Sequence, residues 1–275
     1  AGIAAAQGLT EQVERTDRSA LHQLEALDAL GRLFFDMGRM KECVRADSTL
    51  MAFADAHKEI ALIRHGKARH RLGLDYAQMG DNEQSLRYYR EAKALYGKSD
   101  TLLAGLMAEV STGMGSAYWH LGENRKADEA FAQAISFWEK SRDPKRDFRM
   151  AGTLINRGIL WQSTGDFNRS KANYLESIRR CGAVADTAKD PLLREEAILA
   201  RTRGYVNLAT VYFAVGDDGR SRELLEMALH DRERHMEPDD PKLLGVKDRL
   251  ADLELEAKNY ARAEQWVRDY LDACE

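Results

Sequence analysis

The sequence predicts an all-α solenoid of about six antiparallel helix pairs, and three observations support this prediction. Turn-forming residues recur at successive spacings of 42, 42, 43, 51 and 42 residues. They are Gly38, Gly80, Gly122, Gly165, Gly216 and Lys258. Apolar residues between the turns, as in segment 102–121, follow the spacing of a helix and not the alternation of a strand. The four prolines fall between repeats. A period of 20–50 residues is typical of a repeat array.

Each repeat has the sequence signals of helix, turn and helix. The central glycine ends the first helix at a left-handed C′ position, which glycine adopts without steric cost. An acidic residue usually follows it, where the N-terminus of the second helix favours negative charge. Asp190-Pro191 and Asp240-Pro241 combine an N-cap with proline at the first helical position, and they predict the start of the first helices in repeats five and six.

This pattern divides the chain into an N-terminal extension and six repeats. The extension is 1–16, and the repeats are 17–57 (degraded), 58–99, 100–143, 144–189 (with an insertion), 190–239 and 240–275 (capping). The 51-residue spacing places the insertion near Gly182–Asp190. We expect a loop or a distorted helical extension there, with a tolerated surface loop as the simpler interpretation.

Composition excludes several classes of function. Of the 275 residues, 31% are charged and 44% hydrophobic, and the net charge of −4 gives no general attraction to nucleic acid or to anionic membranes. No run of 18 apolar residues predicts a transmembrane helix, and no signal peptide is visible. Because the sequence starts without methionine, we expect a processed protein or a fragment of a larger one.

No arrangement of residues predicts catalysis, a cofactor or a metal site. Gly97-Lys98-Ser99 lacks the first glycine of a phosphate-binding loop and follows a helix. The histidine pair His65 and His70 is five residues apart, as is His230 with His235, whereas helical metal ligands need a spacing of three or four. The cysteines, Cys43, Cys181 and Cys274, form no CxxC motif and predict buried, reduced thiols in a cytoplasmic protein.

The repeats resemble tetratricopeptide repeats (TPRs). Repeat three carries the family pattern of small, aromatic and glycine residues at Gly115, Tyr118, Gly122, Ala127, Phe131 and Ala134. Repeats two, four and five follow it closely. Repeats one and six depart from it, since Asp47 and Glu254 replace aromatic residues. The long period resembles that of kinesin light chains and of bacterial peptide-sensing regulators. The resemblance implies a right-handed superhelix whose first helices line a concave groove.

The resemblance also implies which residues line that groove. These candidates are Lys67, His70, Arg71, Thr112, Ser116, Trp119, Asn156, Ile159, Arg203 and Asn207. Counted from the small residue of each repeat, groove positions lie six and three or two residues before it and one and four residues after it. This groove count also places Ile155 on the groove face. Asn156 and Asn207 hold equivalent positions in neighbouring repeats, and an amide side chain has the donors and the acceptor to hold a peptide backbone. The alternative is that these two asparagines only bridge neighbouring helices.

Two charged features suggest how an acidic partner would be recognised. Asn156 with Arg203 is similar to part of the carboxylate clamp of chaperone-binding TPR domains, but Thr112 and Ser116 replace the lysine and asparagine of that clamp. A chaperone C-terminus is therefore not the expected ligand. A candidate anion site consists of four cations, two of which are also groove candidates, namely Arg32, Arg64, Lys67 and Arg71. The alternative is a solvated helix face paired with acids such as Asp28 and Glu25.

We therefore expect a non-catalytic module that binds an extended, acidic peptide or protein segment, as the sensor or interaction region of a larger regulatory protein. Nucleic acid and membranes are not expected partners. A small-molecule or nucleotide sensor is one alternative. A structural adaptor that self-associates, for example as a homodimer, is the other.

Overall fold

The computed structural model describes residues 20–57, 62–97 and 103–272. Within these ranges it contains twelve α-helices and no strand. They are α1 (Ala20–Asp36), α2 (Met40–Ala56), α3 (Leu62–Gln78), α4 (Asn82–Tyr96), α5 (Ala104–His120), α6 (Asn124–Lys140), α7 (Arg146–Ser163), α8 (Phe167–Thr187), α9 (Pro191–Ala214), α10 (Asp218–Glu233), α11 (Pro241–Glu256) and α12 (Tyr260–Asp272). Successive helices pack in pairs, from α1 with α2 to α11 with α12. The predicted all-α architecture of helix pairs is confirmed.

Left-handed turns close the helix pairs at the residues that the sequence indicated. Gly80 has φ 79°, and the next residue, Asp81, donates its backbone N–H to the Tyr76 carbonyl at 2.9 Å. This closure satisfies a carbonyl that the helix end would otherwise leave free. Four other glycines repeat it, but the last pair closes at Lys258 with φ 60°. A residue with a Cβ is strained there by about 1–2 kcal/mol.

Glycines in the first helix of a pair allow close packing of tyrosines from the second. A Cβ at Gly73 would lie 2.6 Å from the Tyr89 ring, and one at Gly66 would lie 2.3 Å from the Tyr96 ring. Gly73 and Tyr89 are near the turn, whereas Gly66 and Tyr96 are far from it, so α3 and α4 run antiparallel. The small residue in the repeat pattern is therefore a packing requirement.

The chain divides into two compact units, Ala1–Asp143 and Pro144–Glu275. Unit 1 contains α1 to α6, and its largest buried cluster joins α4 to α5 through residues such as Tyr89 and Val110. Unit 2 contains α7 to α12. There Ile155 and Leu208 belong to one buried cluster, so α7 and α9 lie side by side.

The insertion in repeat four is helical, and the loop interpretation of this segment was wrong. Helix α8 continues for 21 residues to Thr187, and α9 is lengthened to 24 residues. The buried residues Cys181 and Ala185 anchor the additional turns of α8 in the core. Because the added residues keep an apolar stripe at helical spacing, the helix continues through them.

The two Asp-Pro pairs start helices as predicted. The Asp190 carboxylate accepts a hydrogen bond from the Leu192 backbone N–H at 3.1 Å. Asp240 accepts one from the Lys242 backbone N–H at 2.7 Å. In both helices the proline occupies the first turn, where no intrahelical donor is lost.

Candidate functional site

A buried ion-pair network centred on Arg71 lies between α1, α2 and α3 of unit 1. Its guanidinium donates through Nε to Asp47 Oδ2 at 2.8 Å and through Nη1 to Asp28 Oδ1 at 2.7 Å. Nη1 also donates to the Asp28 main-chain oxygen at 2.9 Å. Asp47 is fully buried. A Cβ at position 31 would lie only 2.0 Å from Asp47 Oδ1. Only a glycine at position 31 leaves room for this network.

A thiol and a second carboxyl extend the network. Cys43 Sγ donates to Asp75 Oδ1 at 3.1 Å and to the Gly31 main-chain oxygen at 3.3 Å. Asp47 Oδ1 and Asp75 Oδ2 are both buried and have no hydrogen-bond partner among the described residues. One proton shared between these two carboxyls would supply the donor that both oxygens lack.

The electrostatics of the network support this shared proton. Burial raises the pKa of the Asp47 carboxyl and of the Asp75 carboxyl above the ordinary range, and the attraction of Arg71 opposes the rise at both. Burial, and then the hydrogen bond to Asp75, raises the pKa of the Cys43 thiol. The thiol therefore stays protonated at neutral pH and is a poor nucleophile.

Cys43, Asp47 and Asp75 also form a group with metal-ligand chemistry. Their ligand atoms lie within 4.8 Å of one another, and each of the three residues is buried. However, the Arg71 guanidinium already places a positive charge against Asp47, where a bound cation would otherwise be needed. The arrangement is best explained as a polar core that joins α1, α2 and α3.

The candidate anion site is largely paired within unit 1. Arg32 lies 2.6 Å from Asp28, and Arg64 lies 3.6 Å from Glu25. Arg71 is held in the network described above. Lys67 is exposed and forms no ion pair with a residue in the described part of the chain. The pairing matches the alternative that the sequence left open, a helix face neutralised by its own acids.

The other candidate groove residues of unit 1 lie on α3 and α5. His70 Nδ1 is 3.9 Å from Glu109 Oε2, so these two helices meet at this point. Thr112 donates its hydroxyl to the Ala108 carbonyl one turn earlier, at 2.9 Å. Ser116 and Trp119 are half-buried.

Unit 2 presents polar side chains that have no partner within the described chain. Asn156 and Asn207 are half-buried, on α7 and α9, each next to a residue of the cluster that joins these helices. Neither amide forms a hydrogen bond with residues 20–57, 62–97 or 103–272. The alternative that they bridge helices therefore has no hydrogen bond to support it in the described chain.

Two further candidate residues, Arg203 and Ile159, lie near Asn156 and Asn207 on α7 and α9 of unit 2. Arg203 is exposed one turn before Asn207, and it forms no ion pair in the described part of the chain. Ile159 is half-buried against the same apolar cluster. Ile155, in contrast, is only 1% exposed, so its expected groove position was wrong: it packs in the core with Tyr174 and Leu208.

Sequence analysis missed a pocket of about 340 Å³ in unit 2, where α9, α10 and α11 meet. It is lined by Ala209, Thr210, Phe213, Ser221, Leu225, Asp248, Arg249, Asp252 and Leu253. A signal existed, because applying the groove count to repeat six from Ala251 selects Asp248, Arg249 and Asp252. Repeat six had been interpreted only as a cap.

Comparison with known proteins agrees with the repeat architecture. Models described as tetratricopeptide repeat match residues 66–98, 203–242 and 108–137. Together with the helix pairs and their glycine turns, these matches show that the chain contains tetratricopeptide repeats. The repeats of this family generally mediate protein interactions and are generally non-catalytic. No curated protein sequence matches the chain significantly.

Several solved structures share the fold. BtubC (BKLC) from P. vanneervenii is 16% identical, with a TM-score of 0.70 over 84% of this chain and 90% of its own. The apo form of RapI is 12% identical, with a TM-score of 0.66 over 98% of this chain and 89% of its own. A putative kinesin light chain with TPR-like repeats from Podosopora anserina is 17% identical, with a TM-score of 0.57 over 75% of this chain and 93% of its own. These similarities establish the fold alone.

Within residues 20–57, 62–97 and 103–272, no helix combines the length and the apolar character that a bilayer span requires.

Proposed function

We propose that this protein is an interaction module that binds an extended peptide segment of a partner protein across α7 and α9 of unit 2. The observation that carries the proposal is the pair of asparagines at equivalent repeat positions, Asn156 and Asn207, whose amides have no partner in the described chain. Neither amide is among the fully buried polar atoms without a partner, so both are open to a ligand, and a peptide backbone can supply the donor and the acceptor that each amide can bind.

Arg203 gives this surface a preference for acidic groups. Its guanidinium lies one turn from Asn207 on α9, and it can bind a carboxylate in a bidentate manner. A peptide held at Asn207 would therefore be bound more tightly with an Asp or Glu side chain, or a C-terminal carboxylate, near Arg203. Ile159 adds apolar surface beside the amides.

We extend the proposal to the first-helix face of unit 1. There Lys67, His70, Thr112, Ser116 and Trp119 would contact further parts of the partner. Arg71 is not included, because its donors are already bound by Asp28 and Asp47.

A module that binds a protein segment without catalysing a reaction affects the cell through the protein that it binds. We therefore propose that it serves as the sensor or interaction region of a regulatory assembly. Cys43 and Cys181 are buried and free. Reduced thiols are typical of the cytoplasm, which is the compartment that we propose.

Affinity capture from a lysate tests the proposal. The baits are the wild type, Asn156→Ala/Asn207→Ala, and the control Asn168→Ala/Asn173→Ala, which changes one exposed and one half-buried asparagine on α8. The captured proteins are quantified by mass spectrometry. We expect at least one partner to be retained by the wild type and the control and lost from Asn156→Ala/Asn207→Ala.

Identical captures by the three baits, at equal helicity measured by circular dichroism, would contradict the assignment of the surface. A partner lost from the control as strongly as from Asn156→Ala/Asn207→Ala would place recognition elsewhere in unit 2.

A further inference from the structure

We propose that the pocket between α9, α10 and α11 receives one apolar side chain of the bound segment, with a cationic side chain beside it. This inference rests on the proposed function and names the chemistry that the surface selects. It depends on four features: the pocket's floor, its rim, its mouth and its position relative to Asn207.

The floor of the pocket is apolar and fixed. At most 2% of the surface is exposed at each of Ala209, Leu225 and Leu253, which belong to the packed core of unit 2. Phe213 forms part of the wall and keeps 41% of its surface exposed. A volume of about 340 Å³ is at the lower end of the range of ligand pockets, which suits a single leucine-sized or phenylalanine-sized side chain.

The rim of the pocket carries two carboxylates and one guanidinium, that of Arg249, so its net charge is negative. Asp248 and Asp252 lie one turn apart on α11, and both are exposed. Neither forms an ion pair with any residue that the structure describes. Like charges at this spacing repel each other, so a cation from a ligand would remove an existing repulsion as well as adding an attraction.

A hydrogen bond between α11 and α9 holds these two helices together at the mouth of the pocket. Arg249 donates a hydrogen bond through Nη1 to the Thr210 hydroxyl, which links α11 to α9. The Thr210 hydroxyl in turn donates to the Val206 carbonyl at 3.0 Å. The pocket is thus formed before any ligand arrives.

The position of the pocket connects it to the proposed peptide surface. Thr210 follows Asn207 by one helical turn, about 5 Å along the axis of α9, and Arg203 precedes Thr210 by about 10 Å. About three residues of extended peptide span 10 Å. The preferred segment would therefore carry an acidic group near Arg203 and, about three residues away, an apolar residue next to lysine or arginine.

A small probe tests the pocket without requiring a known partner. We would titrate the full chain with 2-phenylethylammonium, which joins an aromatic ring to a cation, and separately with phenylacetate, which joins it to an anion. Backbone NMR shifts report the binding site. We expect saturable shifts at Thr210, Phe213 and Leu253, and an affinity for the cation about twofold to fivefold above that for the anion, the scale of an exposed charge contact.

Two variants make the test specific. Asp248→Asn/Asp252→Asn should bring the two affinities together. The control Glu233→Gln/Glu237→Gln removes two exposed carboxylates on and beyond the end of α10 and should leave the difference intact. Equal affinities of the wild type for the two probes, or no saturable shift at the pocket, would overturn the inference. The probe needs neither Asn156 nor Asn207, so this failure is distinct from a failure of the capture experiment.

Discussion

The two units place polar residues on equivalent helices but use them in opposite ways. In unit 1, Arg71 is bound by Asp28 and Asp47, and the network closes around Cys43 and Asp75. In unit 2, Asn156, Asn207 and Arg203 have no partner within the described chain. The difference shows that a charged residue in a first helix of this repeat is not by itself a sign of ligand binding. What decides is whether a neighbouring repeat supplies its partner.

The residues at which repeats one and six depart from the family pattern are also paired within the protein. Asp47 replaces an aromatic residue and is paired with Arg71. Glu254, at the other departure, is 1% exposed and lies 3.1 Å from Arg222 and 3.4 Å from Arg262. In both terminal repeats a buried carboxylate paired with arginine replaces an apolar contact.

We expect the largest effect on stability from a substitution that breaks the ion-pair network of unit 1. Arg71→Met would leave the buried carboxylates without a counter-ion, and we expect the free energy of unfolding to fall by about 3–5 kcal/mol. Arg64→Met removes a looser and more exposed pair and should cost less than about 1 kcal/mol. Urea unfolding followed by circular dichroism measures both, and equal losses for the two variants would contradict the buried network.

Next in size is the packing that both units share. A Cβ at Gly158 would lie 2.4 Å from the Tyr174 ring, much as one at Gly73 would meet Tyr89. We expect Gly73→Ala and Gly158→Ala to destabilise the protein by similar amounts, about 1–3 kcal/mol each. Gly152→Ala is the control, because a Cβ there meets no atom within 4 Å. A large difference between Gly73→Ala and Gly158→Ala would mean that the repeat pattern packs differently in the two units.

The shared proton makes the stability of unit 1 depend on pH. Because burial raises the folded-state pKa of Asp47 and Asp75, the folded state binds more protons than the unfolded state between the ordinary carboxyl pKa and the raised one. The contribution of this pair to stability therefore falls as pH rises through that window, by about 1.4 kcal/mol for each unit of raised pKa.

Asp75→Asn isolates this contribution, since its amide can donate to Asp47 at every pH and its oxygen can still accept from Cys43. We expect the stability of Asp75→Asn relative to the wild type to increase from pH 5 to pH 8 in urea unfolding. A constant difference would contradict the shared proton. Asp218→Asn serves as the control for unit 2.

The smallest expected effect concerns the last turn. Lys258 occupies the left-handed conformation that glycine adopts in the other five turns. Lys258→Gly should raise the free energy of unfolding by up to about 1 kcal/mol. Gly216→Ala, which introduces the strain into a relaxed turn, should lower it by a similar amount. The same sign for both variants in thermal unfolding would contradict this account of the turns.

The sequence predicted the features that depend on local chemistry. The glycine turns and the Asp190 and Asp240 caps need only neighbouring residues, and they were found where expected. The network of Asp47 with Arg71 was not predicted, because it joins residues 24 apart from different repeats. For the insertion the sequence left open a loop or a helical extension, and the loop was preferred because surface loops tolerate insertions. The buried side chains of Cys181 and Ala185, which keep the segment helical, become evident only when α8 packs in the core. The pocket was missed because it requires α9, α10 and α11 together.

Site-specific photo-crosslinking tests the central difference between the units most directly. Phe213 on α9 and Phe35 on α1 are 41% and 40% exposed, so p-benzoylphenylalanine can replace either with a similar side chain. We predict that a lysate protein crosslinks through an extended segment to the probe at position 213, and that the probe at position 35 does not capture it. Capture of the same protein by the probe at 35 but not by the probe at 213 would contradict recognition by the α7 and α9 surface of unit 2.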